Sequence, residues 1–497
     1  MASHGLLPAE GAASCATIPA CMSPPDATAP APDVVPPAQT PDQILSASDK
    51  RYLILLIAFS FFMQMLDSTI VNTAAPSIAS ALAVAPLSLK SALTSYMLSL
   101  AIFIPISAWL ADRYGTRRIF WLAILIFTLG SLACGLAQSL WMLTAARVVQ
   151  GFGGAMMMPV GRLALVRSFD KSEFVNAIST ATIPGLIGPA LGPMLGGFFS
   201  MYVSWRMIFF VNIPFGLAGL WMTRRFMPDF RGAAKVPLDL RGFILFALGI
   251  GAVSWALERL TDGDYLYALA TAAAAGAILT VYVRRSFRIT APIVDFRLLR
   301  IASFRIAFNA GFATRLGVGG VFFLLTLLFQ VGFGFSAVMA GALQMPQAVA
   351  MILMRFFVGG IIKHQGYRNV LIWNTALAGT LIILLATITP VTPLWLICIQ
   401  VFIYGFVMSL QYSAMNTLGF IDLSPAQASM GSSMTSMVQN LSMSLGIAFA
   451  SLLMATSIGG THDAVSYVTA FRTTMVVLGV VTVASSLLFL RLPRPAA

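Results

Sequence analysis

The chain has 497 residues, 58% of them hydrophobic and 9% charged, with a mean hydropathy of +0.87 and a formal net charge of +13. So few polar residues cannot cover a water-soluble surface of this size, so lipid must be the solvent. The basic balance does not indicate nucleic acid, because the Lys and Arg residues are scattered in loops between apolar segments, with no basic stripe or binding motif.

The chain opens on fifty residues holding nine prolines among Ala, Ser and Thr, without the apolar core of a secretory signal. We read 1–50 as a disordered cytoplasmic tail. Fourteen apolar runs follow, helical in length when set against the roughly 20 residues a membrane-spanning helix needs, which excludes a barrel. The first six are predicted near Tyr52–Ala75, Leu89–Ala111, Ile119–Ala137, Trp141–Val166, Phe174–Ser200 and Met207–Phe226. A pair follows at Gly242–Leu257 and Leu266–Val283. The last six are predicted at Phe304–Phe333, Ala337–Ile362, Val370–Ile388, Leu394–Phe420, Ala428–Ser457 and Val468–Leu490. The expected organisation is an all-α membrane protein with a six-helix bundle over 51–226, linkers with an inserted helix pair over 227–302, a second six-helix bundle over 303–490 and a short tail over 491–497.

Sorting charge by these spans sets the orientation, because Lys and Arg near helix ends are retained in the cytoplasm. With the amino terminus inside, 22 of the 30 basic residues fall in cytoplasmic segments, among them Arg113, Arg117 and Arg118. Lys90, Arg206, Arg259 and Arg472 fall outside, and Arg147, Arg162, Arg315 and Arg355 lie within predicted helices. An even number of spans returns Arg491 and Arg494 to the cytoplasm. The four cysteines form neither a CxxC nor a Cys/His cluster, so no disulfide framework, metal site or cofactor is expected. Neither a nucleophile, base and orienting set nor an ATP motif is found.

Among embedded polar residues, Asp67 is the only acid well inside a predicted helix. Burial favours its protonated form and a nearby cation its ionised form, so access or a bound substrate decides whether it holds a proton. The alternative is a structural acid capped by Asn72 or Thr73. Arg147, near the outer third of its helix, is costly to bury unless paired or hydrated. Arg315 sits about as deep in the ninth helix as Asp67 does in the first, so both are placed to face a shared cavity, with Arg355 nearer the cytoplasm. Four embedded arginines against one acid give the pathway a formal charge of about +3, which repels dications and attracts carboxylates. The alternative is that Arg162 and Arg355 snorkel to the edge and Arg315 pairs with Asp67. The thirteenth helix mixes Met430, Met434, Met437 and Met443 with serines, Gln439 and Asn440, an adaptable surface to which Gln411, Tyr412 and Asn416 add hydrogen bonds. Helix packing is the competing reading of that face. In the fifth helix Gly188, Gly192 and Gly196 recur every four residues and form a close-approach face, while Pro189 and Pro193 bend the segment.

The chain also repeats itself weakly. AWLADRYGTRR (Ala108–Arg118) after the second helix has a counterpart, GGIIKHQGYR (Gly359–Arg368), after the tenth, sharing Gly115/Gly366 and Arg117/Arg368, with Lys363 where Asp112 stands. LDSTIVNTAAP (Leu66–Pro76), LADRYGTRR (Leu110–Arg118), ARVVQGFGGAMMMPVGR (Ala146–Arg162), GLIGPALGPMLGG (Gly185–Gly197) and SWRMIFFVNIPFG (Ser204–Gly216), in this order, resemble the fourteen-spanner drug:proton antiporter branch of the major facilitator superfamily. Ala108 replaces the usual leading glycine of the loop motif. The resemblance implies two six-helix bundles of the major facilitator fold and a bacterial inner-membrane protein with both termini cytoplasmic. It implies that Arg147 takes part in proton coupling and that Pro189 and Pro193 belong to an exporting, antiporting helix. It further implies that Asp112, with Arg113, Gly115, Arg117 and Arg118, latches one conformation through a helix end or basic partner. A solvated turn that only sets topology is the plain alternative for that loop.

Three functions are expected in descending order. The first is proton-coupled efflux of drugs or other amphipathic molecules by alternating access. The second is export of a small organic anion, such as a polycarboxylate or its metal chelate, held by Arg315 and Arg355. The third is a non-transporting membrane sensor or scaffold. One proton moving through roughly 150 mV supplies about 3.5 kcal/mol, enough for a gradient of a few hundredfold. The partners read from the sequence are the bilayer, protons and a small-molecule substrate; accessory efflux proteins leave no signal in it.

Overall fold

In a computed structural model, residues 46–232, 237–261, 263–458 and 464–492 are described. The tail over 1–45 with Cys15 and Cys21, the linker residue Lys235 and the end with Arg494 lie outside the described residues.

The first half contains α1 (Ala47–Ala81), α2 (Lys90–Tyr114), α3 (Thr116–Gly135), α4 (Leu140–Ser168), α5 (Lys171–Tyr202) and α6 (Asn212–Phe226), the last preceded by one turn at Met207–Phe210. The inserted pair is α7 (Leu240–Thr261) and α8 (Tyr265–Ser286). The second half contains α9 (Ala302–Val318), continued by Val321–Leu327 and a π-turn at Leu328–Gly332, then α10 (Ala337–Met354), α11 (Val358–Leu385), α12 (Leu394–Leu418), α13 (Pro425–Ile458) and α14 (Ala464–Ser485). Among the described residues, 13 helices are long and apolar enough to cross a membrane. The remaining long helix is α4, whose 29 residues run back along α2 and α3 while Arg147, Gln150 and Arg162 lower its apolar average. We call the side on which α1 begins the near face and the opposite side the far face.

Several helix limits differ from expectation for identifiable reasons. The first span was expected to stop at Ala75, before Pro76, yet α1 carries Pro76 inside it and continues to Ala81. A proline costs one backbone bond, which a packed membrane helix tolerates. The tenth span ends at Met354 instead of Ile362, and α11 begins at Val358. Within α11 the backbone leaves helical geometry at Gly366 (φ 73°, ψ 155°). Gly115 between α2 and α3 has nearly the same conformation (φ 96°, ψ 142°). A left-handed φ of this kind favours glycine, so the two halves share a backbone turn although most of the surrounding side chains differ.

Glycines set how closely the helices pack. A Cβ on Gly188, Gly192 or Gly196 would lie 2.8 Å from Leu66 N, 2.2 Å from Thr69 Oγ1 or 2.4 Å from Ile70 O, so this stripe of α5 presses on the part of α1 that holds Asp67. A Cβ on Gly197 would lie 2.4 Å from Ala337 O, and one on Gly341 would lie 2.3 Å from Pro193 O. The fifth helix therefore touches α1 on one face and α10 of the other half elsewhere, a backbone approach that small residues permit without a hydrophobic driving force. Two side-chain hydrogen bonds join the halves among the described residues: Gln330 Nε2 donates to Thr73 O (2.8 Å), and Ser444 Oγ donates to Thr94 O (3.1 Å). Thr73, Thr94 and Gln330 all lie toward the far face. The inserted pair packs as a hairpin on α2 and α13, where Phe246, Ile250 and Tyr282 share an apolar cluster with Ile106, Met434 and Met437.

Candidate functional site

Asp67 and Arg147 form a closed ion pair in the first half. Arg147 Nη1 donates to Asp67 Oδ2 at 2.5 Å, and the two side chains are 0% and 1% exposed. The approach depends on the glycines of the fourth-helix segment. A Cβ on Gly151 would meet Ser99 at 2.7 Å, one on Gly153 would meet Phe127 N at 2.5 Å, and one on Gly130 would meet Gln150 Cα at 2.6 Å. So α4 nests between α2 and α3, and both Arg147 and Gln150 reach α1.

Further hydrogen bonds surround the pair. Gln150 Nε2 donates to Asp67 Oδ1 (2.8 Å) and to Ser131 Oγ (2.6 Å). Asn212 Nδ2, at the start of α6, donates to Asp67 Oδ1 (3.0 Å). Arg147 Nη1 also donates to Gln150 Oε1 (2.7 Å), Arg147 Nε reaches Ala92 O (3.4 Å), and the guanidinium stacks over Tyr96 with its carbon 4.0 Å from the ring centre. Buried charges survive only when paired and hydrogen-bonded in this manner. Five helices, α1, α2, α3, α4 and α6, thus converge on one carboxylate. Neither Asn72 nor Thr73 caps it, because Asn72 Nδ2 turns back to Ser68 O (3.3 Å) and Thr69 O (3.4 Å) on its own helix. Sequence reasoning missed Gln150, Ser131, Asn212 and Tyr96. Gln150, one helical turn after Arg147, was the readable signal.

The second half presents a different arrangement. Arg315 is 3% exposed and does not pair with Asp67. Its Nη2 donates to Asn416 Oδ1 (3.3 Å), its guanidinium carbon lies 5.8 Å from the Tyr412 ring centre, and its Nε has no hydrogen-bond partner. Arg315 lines a small cavity of about 10 Å³ with Phe304, Phe308, Met415, Asn416 and Thr435. The helix breaks just beyond it, at Gly319 and Gly320, where Cβ atoms would strike Arg315 O (2.9 Å) and the Ala450 Cβ (2.2 Å). Tyr412 OH approaches Met443 Sδ at 3.9 Å. Gln439 lies four residues from both Thr435 and Met443 and so shares their face of α13. Asn440 Nδ2 bonds its own helix at Ser436 O (2.9 Å).

Two expected substrate residues lie elsewhere. Arg355 is exposed in the break between α10 and α11, outside any helix, because the tenth span is shorter than hydropathy suggested. Gln411 is buried in a separate network, accepting from Asn374 Nδ2 (2.8 Å) and donating to Thr375 Oγ1 (2.6 Å). The expected local charge of about +3 also falls. Arg147 is neutralised by Asp67, Arg162 and Arg355 are exposed, and Arg315 alone remains as a buried cation without an acid.

At the near face, Asp112 Oδ1 accepts from Arg167 Nη2 at the end of α4 (2.8 Å). The segment after α6 laces this loop: Thr116 N donates to Phe230 O (3.0 Å), Gly232 N donates to Asp112 O (3.0 Å), and Arg117 Nε donates to Met227 O. A Cβ on Gly115 would lie 2.1 Å from Asp229 Oδ1. Arg113 and Arg118 are exposed. Pro189 and Pro193 lie inside α5 beside the glycine stripe that abuts α1.

Comparison with known proteins decides the family. The Major Facilitator Superfamily profile matches residues 57–447. The chain belongs to the Major Facilitator Superfamily. Among relatives, "Putative multidrug resistance protein MdtD" of Serratia proteamaculans (strain 568) is 40% identical over 410 residues, covering 81% of this chain and 85% of that one. The protein of the same name from Salmonella paratyphi A (strain ATCC 9150 / SARB42) is 37% identical over 450 residues, covering 89% and 95%. A solved auto inhibited POT family peptide transporter superposes with a TM-score of 0.66 at 16% identity, covering 90% of this chain and 98% of that one. A bacterial homolog to the human lysosomal transporter Spinster superposes with a TM-score of 0.61 at 18% identity, covering 90% and 98%. These superpositions show that the chain shares their fold.

Proposed function

We propose that the chain is a proton-coupled exporter of drugs or other amphipathic small molecules, resident in the bacterial inner membrane with both termini cytoplasmic. The observation that carries this reading is the fully buried Asp67–Arg147 pair, held by Gln150 and Asn212. A carboxylate engaged by three donors loosens its hold on them when it takes a proton, so protonation and the arrangement of α1, α4 and α6 are linked. The contacts of Gln330 with Thr73 and of Gly197 with Ala337 join the halves toward the far face, and Arg147 lies in the far part of α4. Opening toward the far side gives Asp67 access to protons; return toward the cytoplasm discharges them. The relatives' names supply the drug class, and the basic near-face loops supply the orientation.

Arg315 favours a second reading of the cargo. A buried guanidinium without an acid attracts a carboxylate or another anion, so export of a small organic anion uses the same machinery. Proteoliposomes separate the two readings. Under an imposed pH gradient, lipophilic cations and di- or tricarboxylates are offered to wild type and to Asp67→Asn. Loss of gradient-driven flux in Asp67→Asn supports proton coupling; wild-type flux in that variant rejects it. Binding without any flux in the wild-type protein would instead indicate a sensor.

A further inference from the structure

The two loop-motif copies differ in what completes them, and that difference exposes an unassigned site. In the first half, Asp112, three residues before Gly115, pairs with Arg167, the penultimate residue of α4. In the second half, Lys363 stands three residues before Gly366, and Thr417 is the penultimate residue of α12, the fourth helix of that half. The arginine after each glycine behaves alike: Arg117 bonds Met227 O and Arg368 Nη2 bonds Leu490 O (3.5 Å), each a carbonyl just beyond the sixth helix of its half. The arginine-to-carbonyl contact is therefore repeated, but the acid is missing and a lysine has taken its place.

The vacated place is a cavity of about 430 Å³ at the near face, lined by Val358, Ile362, Lys363, Tyr367, Ser413 and Thr417. Lys363 is exposed and forms no ion pair among the described residues, and Asp422 is exposed in the loop after α12 without a salt bridge to it. One wall thus offers an ammonium, a phenol and two hydroxyls; the other offers aliphatic surface. Phe356 and Phe357, 81% and 55% exposed, adjoin the apolar wall at the start of α11. Tyr367 beside Lys363 near the end of a spanning helix fits the depth of lipid headgroups, where the amphipathic tyrosine ring is enriched.

We propose that this cavity binds the headgroup of an anionic phospholipid, whose phosphodiester faces Lys363 as the Arg167 guanidinium faces Asp112 in the first half. Lys363 supplies the charge, Tyr367 and Ser413 donate to phosphate oxygens, and an acyl chain lies along Phe356, Phe357 and Ile362. Basic pockets between membrane helices at the anionic leaflet recognise lipids by this chemistry. Lipid would then supply Lys363 with the partner that the first half draws for Asp112 from its own α4.

The test is native mass spectrometry of the full chain, released from micelles containing equal phosphatidylglycerol and phosphatidylethanolamine. Wild type is expected to retain phosphatidylglycerol preferentially, and Lys363→Gln to lose about fivefold of that preference. Lys363→Asp combined with Thr417→Arg, which rebuilds the first-half pair, is expected to abolish the preference while keeping the wild-type thermal transition. Inorganic phosphate is offered in a parallel arm at matched concentration. Unchanged phosphatidylglycerol retention in both variants overturns the proposal, and so does displacement of the lipid by phosphate at equal concentration, which would assign the cavity to a soluble anion.

Discussion

Replacing Asp67 by Asn leaves Arg147, 1% exposed, as a buried cation without its carboxylate partner. Breaking one partner of such a pair costs about 3–5 kcal/mol, whereas removing both charges costs much less. Asp67→Asn is therefore expected to lower the thermal transition in detergent, and Asp67→Asn with Arg147→Gln to regain most of it, giving a large coupling energy in the double-mutant cycle. Additive losses would show that the pair does not act as a unit. Arg315 and Arg355 separate at the same scale. Arg315→Ala is expected to reduce binding of an anionic substrate by at least about tenfold, the scale of one charge-assisted hydrogen bond, while Arg355→Ala changes it by less than twofold. Isothermal titration with a tricarboxylate reads both, and equal effects would return Arg355 to the site. Asp67 was legible as a lone acid in an apolar run, and Arg147 as a cation that needed a partner. Their mutual pairing was not legible, because it depends on how closely three helices approach, which no spacing along one helix encodes.

At the scale of elements, close approach rests on particular glycines. Gly130→Val would drive a side chain into the Gln150 backbone, where even a Cβ would lie 2.6 Å from Cα. Overpacking of this kind costs about 1–3 kcal/mol and pushes Gln150 away from Asp67, so both thermal stability and gradient-driven transport are expected to fall. Gly251, in α7, has nothing within 4 Å of its would-be Cβ. Gly251→Ala is expected to leave stability unchanged or raise it by up to about 1 kcal/mol. A larger loss from Gly251→Ala than from Gly130→Val would contradict this account of helix packing. Hydropathy located the helices well where lipid faces them and poorly where the chain turns. The tenth span ran too far because Arg355, Phe356 and Phe357 interrupt an otherwise apolar run without a proline or a charge cluster to mark the break. The glycine repeat in α5 was legible as a close-approach face, but its partner, the Asp67 segment of α1, was not.

The whole molecule is two bundles held together on the far side by backbone contacts at Gly197 and Gly341 and two side-chain hydrogen bonds. Hydrogen bonds between membrane helices contribute about 0.6 kcal/mol each, so these two add little resistance to separation. A thiol cross-linker across Thr73→Cys and Gln330→Cys is expected to abolish transport, and a cleavable linker to restore it on reduction; transport by the cross-linked protein would rule out opening at this face. The internal repeat was legible as a motif pair, and the backbone turns at Gly115 and Gly366 carry it further than the side chains do. The central claim, that cargo and proton compete through the Asp67–Arg147 pair, is tested most directly by following proton release with a pH indicator when substrate is added to purified protein in weakly buffered detergent. The account predicts release from wild type and none from Asp67→Asn at equal substrate occupancy; equal release from both would contradict it.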